Sequence, residues 1–168
     1  MSEVNKMEKM AAGWYRNAPH LPANGREWLA NNVWWLALVG VILGTLAILG
    51  IMMTSLLVSS VFVAVGGAYG AVLGGFTLVA TLIVLAFAIV SVILTGLAIS
   101  PLKAKVKKGW TLLFIVMLIN ILGAFLDFIF TFNISGLLLA VIMAGLGGYL
   151  LFEIRSFFVA AKPAKKVA

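Results

Sequence analysis

Residues 33–57 read VWWLALVGVILGTLAILGIMMTSLL, a run without one charged side chain. A helix rises about 1.5 Å per residue, so about 20 apolar residues cross the roughly 30 Å hydrocarbon core of a bilayer. This run is long enough to do so. Three further segments qualify on the same terms, about 71–99, 110–130 and 136–158. The expected fold is therefore all-α, an integral membrane protein built as a four-helix transmembrane bundle.

Composition points to lipid as the solvent. The 168 residues are 64% hydrophobic and 10% charged, with a mean hydropathy of +1.18. A soluble domain is about half apolar and about a quarter charged. In water this chain would expose apolar surface at a prohibitive hydrophobic cost. The first apolar run follows a polar segment holding Glu3, Glu8, Arg16, His20 and Glu27. It is longer than the roughly 7–15 residues of a signal-peptide core, so it reads as a retained helix.

Ser55–Gly75 carries no charge and is punctuated by Ser59, Ser60, Gly66, Gly67, Gly70, Gly74 and Gly75. Glycine at that density favours turns, so 58–75 is expected to hold a short loop, with a re-entrant segment as the alternative. The turn at Thr131–Ser135 is tight, and Asn133 or Ser135 can cap the fourth helix.

The basic residues set the orientation. Lys6, Lys9, Arg16 and Arg26 precede the first span, Lys103, Lys105, Lys107 and Lys108 lie between the second and third, and Arg155, Lys162, Lys165 and Lys166 follow the fourth. These are all 12 Lys and Arg of the chain. An even number of spans puts all three groups on one side, and the positive-inside tendency makes that side cytoplasmic. The expected topology is N-in and C-in, multi-pass in the cell membrane. Residues 1–32 form a cytoplasmic or interfacial segment, 33–158 the membrane domain and 159–168 a basic tail. Val4, Met7, Met10, Ala11 and Trp14 recur at helical spacing opposite Glu3, Lys6 and Lys9, which predicts a short amphipathic helix in the headgroup layer. Pro19 and Pro22 end it, and Trp28, Trp34 and Trp35 anchor the first span.

Asp127 is the residue with most to explain. It lies about 17 residues into the third span, where a carboxylate costs a few kcal/mol unless protonated, hydrated or paired. Asn120, Gly123, Ala124 and Asp127 share one helix face, which turns polar groups toward a bundle or partner. One expectation bonds Asp127 to the start of the fourth helix through Asn133, Ser135 or free N–H groups. The other gives it an ion, a proton or a partner.

Thr77, Thr81, Ala88, Ser91 and Thr95 lie near one stripe of the second span. They serve close packing, or with Asn120 and Asp127 a polar pathway in which Thr81, Ser91 and Thr95 take part. Gly40 and Gly44 form GxxxG in the first span, and Ala140, Ala144 and Gly148 repeat small-residue spacing in the fourth, as expected for helix packing. Glu153 is expected to meet the central lysines and Arg155 to reach lipid phosphate. Lys103, Lys105, Lys107, Lys108 and Arg155 together would attract anionic headgroups.

Catalytic signatures are missing. There is one histidine, there are no cysteines, and no zinc-protease or phosphate-loop motif occurs. No metal, cofactor or nucleic acid is expected. The reading is a non-enzymatic membrane protein, a structural or accessory subunit of a homo-oligomer or larger membrane complex. The alternative is a small channel or transporter with Asp127 and Asn120 as its intramembrane polar site.

Overall fold

The computed structural model describes residues 2–15 and 17–158; Arg16 and the tail 159–168, with Lys162, Lys165 and Lys166, lie outside the described residues. Among the described residues there are four α-helices and no strand: α1 (Ser2–Tyr15), α2 (Ala23–Lys103), α3 (Lys107–Thr131) and α4 (Ile134–Glu153), followed by one 3₁₀ turn at Arg155–Phe158. Three of them, α2, α3 and α4, are long and apolar enough to cross a membrane.

α2 is 81 residues long and departs from helical geometry at Gly67, where φ is 55° and ψ is −133°. There the chain doubles back. Ser59 Oγ donates to the Gly74 carbonyl at 3.2 Å. Further along, a Cβ on Gly44 would lie 2.8 Å from Val92 Cγ2, and one on Gly96 would lie 4.0 Å from Val41 Cγ2. α2 is thus a hairpin of two antiparallel arms, residues 23–66 and 68–103.

The loop expected within 58–75 is replaced by helix on both sides of one glycine. The physical reason is that an apolar, uncharged segment satisfies its backbone best inside a helix, while its small residues let the arms close. A Cβ on Gly70 would collide with the Phe62 carbonyl oxygen. The glycine density marks close approach of two helices rather than loose chain. Only Gly67 uses the positive φ that glycine tolerates.

The other two reversals are short. α2 runs through Pro101 and ends at Lys103, and the turn into α3 places Lys105 at φ 53°. Gly109 is buried there, where a Cβ would lie 2.6 Å from the Leu102 nitrogen. α3 ends at Phe132 in the left-handed region, whose N–H donates to the Phe128 carbonyl at 2.8 Å. Asn133 caps α4, its side chain accepting from Gly136 N–H at 2.9 Å.

α3 packs against α2, and α4 against α3. The tight core sits at the end opposite Gly67, where Leu29, Ala30, Ala98, Leu102, Trp110 and Phe114 are buried together. Trp110 stacks on Phe114 with centroids 5.6 Å apart, and Phe152 meets both rings edge-on.

α1 folds onto this same end. Val4 and Ala11 pack on the core, and Tyr15 stacks on Phe152 at 5.2 Å. Met7, Met10 and Trp14 face outward. The apolar stripe read from the sequence therefore divides into a docked edge and an exposed edge.

Candidate functional site

The shared face of α3 is split by its neighbours. Gly123 is buried beneath Phe87, where a Cβ would meet the Phe87 Cβ at 3.4 Å. On one side of it, Ser91 Oγ donates to Asn120 Oδ1 at 2.7 Å, the one side-chain bond between α2 and α3 among the described residues. Asn120 also edges an apolar cleft of about 390 Å³ between the first arm of α2, α3 and α4, with Ala140 and Ala144 on its far wall.

On the other side, Asp127 lines a second cleft of about 530 Å³ with Ile51, Phe76, Thr77, Thr81 and Phe130. Its carboxylate makes no hydrogen bond or ion pair among the described residues, while its backbone carbonyl accepts from Thr131 Oγ1 at 2.8 Å. The expected link from Asp127 to the start of α4 is not made. Asn133 Oδ1 is occupied by Ser135 Oγ at 2.7 Å and by Gly136 N–H, because capping α4 uses the same groups.

The hydroxyl stripe is likewise divided. Thr77 and Thr95 donate to their own helix, to Leu73 O at 2.9 Å and Ser91 O at 2.7 Å. Thr81 faces the Asp127 cleft, and Ser91 serves Asn120. Asn120 and Asp127 therefore open onto different spaces rather than one route. Among the small residues, Gly44 meets the opposite arm of the hairpin and Gly148 lies beneath the Tyr15 hydroxyl, whereas a Cβ on Gly40 would meet open space.

At the basic end two acids gather the charges. Glu8 is 2% exposed and accepts from Arg155 Nε at 2.7 Å, with Lys107 Nζ 3.8 Å away. Arg155 also lies over the Trp110 ring, 5.8 Å from its centroid. Glu153 sits 2.6 Å from His20 Nδ1 and accepts from Leu21 N–H at 3.1 Å, with Arg26 Nε 3.9 Å away. So Glu153 meets the segment after α1 in place of the central lysines, and Arg155 meets Glu8. Lys103 lies over the Trp34 ring at 5.1 Å, while Lys105 and Lys108 are exposed.

Glu8, Tyr15, His20 and Arg26 are the residues that sequence reasoning missed. A signal existed. Glu8 lies midway between Val4 and Ala11 on the apolar edge of α1, where an acid is buried only with a partner.

Comparisons with the profiles of known families, with curated proteins and with solved structures found no match to this chain.

Proposed function

We propose that the chain is a small non-enzymatic membrane protein that works by assembly, as a structural or accessory subunit of a homo-oligomer or a larger membrane complex. In this reading the two arms of α2, with α3 and α4, are four spans. The end bearing Lys103, Lys105, Lys107, Lys108 and Arg155 is cytoplasmic, both termini lie there, and the lysines face anionic headgroups of the cell membrane.

One observation carries the proposal: the α2 hairpin extends past the end where α3 turns into α4. The 20 residues of α4 rise about 30 Å, the depth of a hydrocarbon core. Along the first arm, residues 33–66 rise about 50 Å without a charge. Phe130, at the end of α3, packs on Phe76 with centroids 6.2 Å apart. Phe76 lies nine positions after Gly67, so the hairpin extends about 14 Å beyond the Phe76–Phe130 contact. The overhang is apolar and bare, with Val65 84% and Tyr69 73% exposed. Such a patch beyond lipid is stable when another protein surface covers it.

The chain has no cysteine, so Val65→Cys creates a unique probe. Assembly predicts crosslinking through Val65→Cys in native membranes and a native mass above one chain. A monomer whose Val65→Cys is freely labelled by a membrane-impermeant maleimide would refute the proposal.

A second reading, a small channel or carrier, draws on the unpaired Asp127 in its cleft. It predicts cation or proton flux in liposomes that falls in Asp127→Asn. A wild-type protein without flux removes it.

A further inference from the structure

We propose that the Asp127 cleft is a binding site for a lipophilic, monovalent organic cation. The inference deepens the second reading by naming a ligand class, and it is independent of assembly.

The case begins with charge. Asp127 opens into the cleft with no cationic partner among the described residues. A carboxylate at this depth is stabilised by a positive charge brought to it. The surrounding groups have matching polarity. Thr77 spends its hydroxyl proton on Leu73 O at 2.9 Å, so its oxygen is left as an acceptor; Thr131 donates to Asp127 O at 2.8 Å, and its oxygen accepts from Asn133 N–H at 3.3 Å. Phe76 and Phe130 stand edge-to-face, with centroids 6.2 Å apart and planes at 68°. Aromatic faces carry negative quadrupole charge and attract cations. Ile51, Ala80 and Val84 complete the wall with apolar surface. Carboxylate, lone pairs and π faces all disfavour an anion, while π faces and alkyl groups favour a cation that is itself greasy.

Ligand number and size narrow the class. Calcium takes about 6–8 oxygen ligands and magnesium about 6, whereas this cleft offers a single carboxylate. Among the described residues no three His, Cys, Asp or Glu gather around any point. One negative charge balances one positive charge. The volume of about 530 Å³ falls within the range of small-molecule sites, about 300–1,000 Å³. A substituted ammonium or phosphonium ion satisfies all of these terms together.

The experiment uses the full chain in nanodiscs of neutral phospholipid, with tetraphenylphosphonium as probe in equilibrium dialysis. Saturable binding of about one probe per chain is expected, weakened about tenfold or more in Asp127→Asn and restored in Asp127→Glu. Phe130→Leu, which keeps the carboxylate, should weaken it severalfold. Tetraphenylborate, the same shape with opposite charge, should bind no better than to empty nanodiscs. The proposal is overturned if the wild type binds no more probe than empty nanodiscs. It is equally overturned if Asp127→Asn binds as the wild type does, or if millimolar Mg²⁺ displaces the probe. Should Asp127→Asn fail to fold, Phe130→Leu decides: unchanged affinity there also overturns it. The assay needs neither a partner nor transport, so a failed flux measurement leaves this result standing on its own.

Discussion

Trp110 Nε1 donates to the carbonyl of Leu151 at 2.7 Å, and the bond is buried. Leu151 lies in the last turn of α4, where carbonyls have no partner within the helix. The indole thus closes the end of one helix from the beginning of another. Trp110→Phe keeps the ring stack with Phe114 and removes the donor. It should cost about 1–3 kcal/mol, the usual penalty of a buried acceptor left unpaired. Reversible unfolding in mixed micelles checks this; an unchanged midpoint would show that the bond contributes nothing.

The glycines of the hairpin should separate by position. Gly70→Ala forces a methyl onto the Phe62 carbonyl and should cost about 1–3 kcal/mol, as overpacking does. Gly75→Ala meets nothing within 4 Å and should gain up to about 1 kcal/mol in helix propensity. The same unfolding assay compares them, and equal effects would contradict the arm packing.

Glu8 holds α1 to the base of α4. Glu8→Gln keeps the shape but removes the charge that Arg155 and Lys107 approach. Since Arg155 is partly exposed, a loss of about 1–2 kcal/mol is expected rather than the full penalty of a buried pair. Hydrogen exchange should quicken across Ser2–Tyr15 and stay unchanged in α3. Uniform exchange in both proteins would show that the pair does not hold the helix.

The Ser91–Asn120 bond should matter little. Hydrogen bonds between membrane helices average about 0.6 kcal/mol in double-mutant cycles. Ser91→Ala, Asn120→Ala and the double variant should therefore couple by less than about 1 kcal/mol. A larger coupling would mark Asn120 as more than a packing contact.

Helical class and the apolar segments were legible because hydrophobic run length and charge distribution are local properties. So was the cap at Asn133, a local side-chain-to-backbone bond. The turn at Gly67 was not. Gly66, Gly67, Gly70, Gly74 and Gly75 look alike along the chain, and only pairing with Phe62 and Ser59 tells an interface glycine from a hinge. The Asp127 surroundings were partly legible. The carboxylate stood out by its depth, but Phe76 and Phe130 are 54 positions apart and meet only through the fold. The Glu8–Arg155 pair spans 147 positions and was hidden for the same reason.

A reversal made at one residue has a bearing on biogenesis. With a single non-helical position between its arms, α2 offers no slack for one arm to move far from the other. In the four-span reading proposed above, the two arms would enter the bilayer as one unit, paired where Ser59 meets Gly74. For the same reason no flexible stretch at that tip can be threaded into a protease or given a glycan, and a reporter spliced in at Gly67 would prise the arms apart.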